Sequence, residues 1–166
     1  VFATGSLDQA AAAHYWNQGR GPWPGRLWPW ANKLWVYGEA PANAVGGLGL
    51  LGFLLSFASP AWRRWRGPGL YLALLLLLGP GLLVNGLLKP LWGRPRPSDC
   101  LGTGGLWAFQ PWWQWGVPGR GASFVSGHAA SAWYFAGLYW AVRGRLRIPL
   151  LMAALAFGLA MSWARV

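Results

Sequence analysis

Acidic residues are nearly missing from this sequence. Asp8, Glu39 and Asp99 stand against fourteen lysines and arginines, and the net charge is +11. Only 10% of residues are charged, against about 25% in an ordinary soluble domain. That shortfall argues against a water-soluble globule, and a hydrophobic content of 55% excludes disorder. Cysteine is represented by Cys100 alone, so no disulfide forms within the chain. Histidine is represented by His14 and His128, and no acid or histidine stands at metal-ligand spacing from another. No metal and no cofactor is therefore expected. No basic-then-apolar leader opens the sequence, and no internal repeat is present. The 166 residues are one domain's worth of chain.

What is abundant is apolar sequence without charge. The uncharged runs are 23 residues from 40 to 62, 22 from 67 to 88, 22 from 121 to 142 and 17 from 148 to 164. A helix of about 20 apolar residues crosses a ~30 Å hydrocarbon core. The four runs therefore predict four transmembrane helices, an all-α polytopic membrane bundle. A soluble helix needs a polar face, and 67–88 has none. A fifth uncharged run, 100–119, holds five glycines, two prolines and four tryptophans. This composition would not keep a lipid-exposed helix together, so it is read as part of an interfacial loop, 89–120. Residues 1–39 hold charges and Trp-Pro clusters. They are read as an interfacial segment with short amphipathic helices at 7–17 and 30–37.

Arg63, Arg64 and Arg66 join the first two runs, and Arg143, Arg145 and Arg147 join the last two. Short arginine-rich loops stay cytoplasmic. That orientation puts 1–39, 89–120 and the end of the fourth run outside. Trp62, Trp65, Trp92, Trp140 and Trp163 then stand at span ends, as an aromatic belt requires.

Lys89, Arg94, Arg96 and Arg120 lie on the outer side, against that charge rule. Lys89 and Arg96 are seven apart, with prolines stiffening the stretch. A stiff pair of cations makes a phosphate clamp, Arg as a planar fork and Lys as a point charge. A basic cluster that anchors lipid headgroups has the same composition. Asn85, four residues before Lys89, shares its helical face and is placed to orient it. The second element is Ser126-Gly127-His128 at the start of the third run. Free N–H groups at a helix start favour an anion, and His128 suits proton transfer at neutral pH. The third is Arg165, a cation arriving on another helix, with capping of that helix as its alternative role.

Lys89 to Arg96-Pro97 resembles the Lys-x6-Arg-Pro motif of the type-2 phosphatidic acid phosphatase and vanadium haloperoxidase superfamily. Ser126-Gly127-His128 resembles its Pro-Ser-Gly-His motif, with Val125 in place of proline. Arg165 resembles the arginine of a third motif, Ser-Arg-x5-His-x3-Asp, with Ala164 in place of serine. The resemblance covers about 40–166. It implies six helices, of which these four are the second to fifth, and a chain that is an internal piece of a longer protein. The remaining histidine and aspartate of the third motif would follow Val166.

The chemistry the resemblance implies is hydrolysis of a lipid phosphate or polyprenyl diphosphate through a phosphohistidine, without metal. Lys89, Arg96 and Arg165 would hold phosphoryl oxygens, Ser126 and Gly127 would add neutral donors, and His128 would protonate the leaving oxygen. Arg165 would also act in catalysis. Arg94, Asp99 and Arg120 are secondary candidates, and His14 matches no motif. The implied partners are the lipid phosphate substrate and membrane lipids. A bacterial inner membrane with the site facing the periplasm or exterior fits, and no obligate protein partner is evident. A non-catalytic binder of anionic lipid would explain the basic residues but not Ser-Gly-His at a helix start. A haloperoxidase-like protein would share the anion site but not four spans. Nucleic-acid binding is weakest, because the arginines punctuate apolar runs instead of forming a stripe.

Overall fold

The computed structural model describes Ala10, residues 29–101 and residues 105–163, and every regular element among them is helical. In chain order these are α1 (Pro29–Tyr37), α2 (Ala40–Ala58), a 3₁₀ turn (Pro60–Trp65), α3 (Arg66–Leu76), a π-helical stretch (Leu77–Leu88) and α4 (Lys89–Trp92). A long loop with one 3₁₀ turn (Pro97–Asp99) leads to α5 (Gly127–Trp133), a 3₁₀ segment (Tyr134–Gly137), α6 (Leu138–Ala141) and α7 (Arg147–Trp163). The expected helix at 30–37 is α1, and the one expected at 7–17 lies outside the described residues.

Two stretches, Asn32–Ala58 and Pro60–Asp99, are long and apolar enough to cross a membrane by length and composition, rather than the expected four. The run 40–62 loses its last residues because Pro60 forces Ser59 into an extended conformation, φ −144° and ψ 138°, which ends α2 at Ala58. The run 67–88 is helical throughout. The run 121–142 is helical only from Gly127 to Ala141, and it tightens to 3₁₀ geometry midway. Its first six residues are loop, held against 94–95 by bonds described below. The fourth run gives the 17 residues of α7.

The exterior is oily and the interior is small. Leu48, Leu54, Phe57, Leu77, Leu78, Leu82 and Leu87 are exposed, whereas Gly46, Gly49, Gly52, Gly69 and Ala42 are buried. Burial is the reverse of that in a water-soluble helical core and suits helices whose outer face meets lipid. Glycine lets α2 and α3 approach closely. A Cβ on Gly69 would lie 2.5 Å from the Gly49 carbonyl oxygen. Arg66 fastens the same hairpin, donating from Nη2 to the Ser56 carbonyl at 2.9 Å and from Nε to Ser56 Oγ at 3.2 Å. Across the bundle, the Tyr134 hydroxyl donates to the Leu72 carbonyl at 3.2 Å and the Tyr71 hydroxyl to the Gly137 carbonyl at 3.1 Å.

These ties bring the two arginine loops to one end. Arg64, Tyr71, Trp140 and Arg143 line a cavity of about 560 Å³ between them. Lys89 and His128 stand at the other ends of the helices that meet there. Pro80 lies inside the π-helical stretch. Proline lacks an N–H and crowds the preceding turn, and the wider coil accommodates it. The Asn85 amide donates to the Pro80 carbonyl at 2.8 Å.

Candidate active site

The segment carrying Lys89 and Arg96 is bonded along its length to the loop that leads into α5. Gly116 N–H donates to the Trp92 carbonyl at 2.8 Å and Gly119 N–H to Pro90 at 3.1 Å. Ser123 donates twice, from its backbone to Arg94 at 3.1 Å and from Oγ to Pro95 at 2.8 Å. Gly93 ends α4 in the left-handed conformation, φ +61°, and a Cβ there would run into the Val117 carbonyl. Only glycine satisfies both conditions without strain. Trp92 closes the packing, stacked on Trp115 at 4.5 Å and edge-on to Phe124 at 5.1 Å. It thereby packs the loop against the end of α4. Trp62, Trp65, Trp140 and Trp163 are exposed.

Asn85 is the hinge between the two motifs. Lys89 Nζ donates to Asn85 Oδ1 at 3.5 Å, the pairing expected from their spacing. A Cβ on Gly127 would fall 2.5 Å from that same oxygen, so the glycine is what allows α5 to begin against the amide. Ser126 caps α5, with Oγ accepting from Ala129 N–H at 3.3 Å. Its hydroxyl proton remains available to a second acceptor. Arg96 is exposed, and its backbone N–H donates to the Asp99 carboxylate at 3.4 Å. Asp99 also accepts from Ser98 Oγ at 3.1 Å.

The secondary candidates serve the loop. Arg94 Nε donates to the Gln110 carbonyl at 2.9 Å with its guanidinium over Phe109, and Arg120 lies 4.0 Å from the Trp107 ring centroid. Cys100 is buried, donating to the Arg96 carbonyl at 3.4 Å. Burial pushes its thiol up from the ordinary value, opposed by Arg94 and assisted by Asp99. Arg165 and His14 lie outside the described residues.

His128 has partners the sequence did not suggest. Nδ1 lies 3.0 Å from Glu39 Oε1, and Nε2 donates to the Trp35 carbonyl at 2.9 Å. The Trp35 carbonyl only accepts, so Nε2 is the donor to it, and the Glu39 carboxylate stands as the acceptor beside Nδ1. The one available signal was that Glu39 is among three acids and immediately precedes an apolar run. Among the described residues, no group of three or more His, Cys, Asp or Glu side chains is placed to hold a metal ion. The site thus offers cations, a capped helix start and a histidine paired with a carboxylate within one cluster of bonded segments.

The family model described as the PAP2 superfamily matches residues 69–166. Curated relatives are each a lipid A 4'-phosphatase. The protein of Rhizobium etli is 51% identical over 63 residues, 36% of this chain and 24% of that protein. That of Rhizobium leguminosarum is 48% identical over 64 residues, 36% and 27% of the two chains. That of Francisella tularensis subsp. novicida is 32% identical over 97 residues, 57% and 44%. The chain therefore spans about a quarter of the length of two of these relatives, at 24% and 27%, and less than half of the third, at 44%. No solved structure matches the chain.

Proposed function

This chain belongs to the PAP2 superfamily, and on that premise we propose that it forms the phosphate-binding part of a bacterial membrane lipid phosphatase. Its substrate is a phosphate monoester on a lipid, of the kind named in the relatives, the 4'-phosphate of lipid A. The observation that carries this reading is the joining of the two motifs through Asn85. Lys89 bonds to its oxygen and Gly127 packs on it, so residues nearly forty apart in sequence act on one anion.

Lys89, Arg96 and Arg165 bind the phosphoryl oxygens and offset the charge that develops in the transition state. Ser126 and the Gly127 backbone add neutral donors. His128 protonates the leaving oxygen as the P–O bond breaks, a contribution of ~10²–10⁴ in rate. The attacking group is the histidine that the family resemblance puts after Arg165, and the covalent phosphohistidine is then hydrolysed by water. The long apolar stretches Asn32–Ala58 and Pro60–Asp99 lie in the membrane, with both arginine loops cytoplasmic. The site opens on the periplasmic side, where a lipid substrate keeps its tail in the bilayer.

The test is phosphate release by the complete purified protein in detergent or lipid, with lipid A and phosphatidic acid as substrates. Release from lipid A, lost in Arg96→Ala, is the expected result. A wild-type protein that releases phosphate from neither lipid would overturn the reading.

A further inference from the structure

Glu39 lies outside the matched residues 69–166 and in none of the motifs, yet it sits on the ring assigned to proton transfer. Its position is built. Gly38 packs at the α1–α2 corner against Met161, a fully buried residue of α7, where a Cβ would run into the Met161 side chain and the Leu34 carbonyl. The next residue, Glu39, opens α2 with its carbonyl bonded to Asn43 N–H at 3.0 Å. The corner is therefore fixed on α7, which also packs on α5. Glu39 reaches Nδ1 of His128 from that platform at 3.0 Å, with side-chain exposures of 23% for the histidine and 35% for the acid.

From this geometry we propose that Glu39 is a positioning residue for His128, holding Nδ1–H so that Nε2–H faces the leaving oxygen. The inference rests on the phosphatase reading above. A carboxylate on one ring nitrogen fixes the ring's orientation and stabilises the doubly protonated form, which a general acid must have before it acts. Nε2 is bonded to the Trp35 carbonyl at 2.9 Å, and on this proposal that bond is exchanged for one to the leaving oxygen when substrate binds. In the reaction the phosphorus–oxygen bond to the lipid breaks and its electron pair goes to the leaving oxygen. That oxygen takes the Nε2 proton, while phosphorus bonds to the attacking histidine. The imidazole of His128 is left neutral, with Nδ1–H still on Glu39.

The experiment is a double-mutant cycle in the complete protein with two substrates. Glu39→Ala lowers kcat on a lipid phosphate by about 10- to 100-fold, less than the whole general-acid contribution, with KM within about threefold. Glu39→Gln keeps an acceptor without the charge and loses less, and Glu39→Asp restores part of the loss. On nitrophenyl phosphate, whose leaving group needs little protonation, Glu39→Ala loses only a few-fold. Glu39→Ala combined with His128→Ala is no slower than His128→Ala alone. A separate readout needs no turnover: the Nδ1–H proton resonance of His128 shifts upfield or vanishes in Glu39→Ala. Equal losses on both substrates, additive single effects or an unchanged resonance would each overturn the proposal while leaving the phosphatase reading intact. Absence of wild-type turnover on both substrates would instead remove the reading and this inference together.

Discussion

A general acid and a phosphate-holding cation fail differently when removed. His128→Ala in the complete protein is expected to lower turnover by ~10²–10⁴, because protonation of the leaving group matters only as the bond breaks. Vanadate, which has no leaving group to protonate, should still bind. Arg96→Ala should weaken both turnover and vanadate binding, since the guanidinium acts on the bound ground state as well as the transition state. Vanadate binding lost equally in both variants would show the roles to be misassigned. Cys100 gives a second residue-scale expectation. Thiolate is the species that alkylates, and burial raises the thiol above its ordinary 9.0. Its alkylation rate should therefore be slow at neutral pH and still climbing above pH 9, as followed by mass spectrometry. A rate that levels off below pH 9 would contradict the buried placement.

Among the elements, the α2–α3 hairpin depends on the absence of side chains. Gly69→Ala would set a methyl 2.5 Å from the Gly49 carbonyl oxygen and 3.0 Å from Phe53 N. These are backbone atoms, and relief requires the helices to part. Overpacking of this kind costs about 1–3 kcal/mol, to be read as a lowered unfolding midpoint in detergent. Gly47 is the control, since nothing lies within 4 Å of a Cβ there. Gly47→Ala should be neutral or stabilising, by up to about 1 kcal/mol of helix propensity. Equal destabilisation by the two substitutions would show that close packing at Gly69 is not the cause. The loop behaves as an element as well. Ser123 holds Arg94 and Pro95 through two bonds, which is why the run beginning at 121 does not start as a helix.

For the whole molecule, orientation is the accessible quantity. Cys100 is a poor reporter because it is buried, but Leu106 is 81% exposed in the long loop and Leu146 is 65% exposed in the second arginine loop. In a Cys100→Ser background, Leu106→Cys should react with a membrane-impermeant thiol reagent applied to intact cells. Leu146→Cys should react only after permeabilisation. The reverse pattern would invert the orientation drawn from the arginine loops. Chelation is the corresponding chemical test. Phosphate release by the complete protein should survive removal of divalent metals, since the proposed reading assigns the anion to Lys89, Arg96 and Arg165 instead of a metal. Activity lost on chelation and restored by Mg²⁺ or Zn²⁺ would exclude the metal-free mechanism.

Local composition was enough for much of this. The uncharged runs at 40–62 and 67–88 announced their helices, because continuous apolar sequence and helix length are properties of the chain itself. The helix start at Ser126-Gly127 and the Asn85–Lys89 pairing were legible for the same reason, as both depend on short sequence spacing. Three features were decided only by tertiary contacts. The run at 121–142 lost its first six residues to loop because Ser123 bonds to Arg94 and Pro95, partners 28 or more positions away. Trp92 found Trp115 and Phe124 as ring partners, 23 and 32 positions on. Glu39 and the Trp35 carbonyl reached His128 across about 90 residues of chain, carried there by the packing of Gly38 on Met161. Spacing rules act over a few residues, whereas an ion pair between separate helices exists only once the bundle has closed.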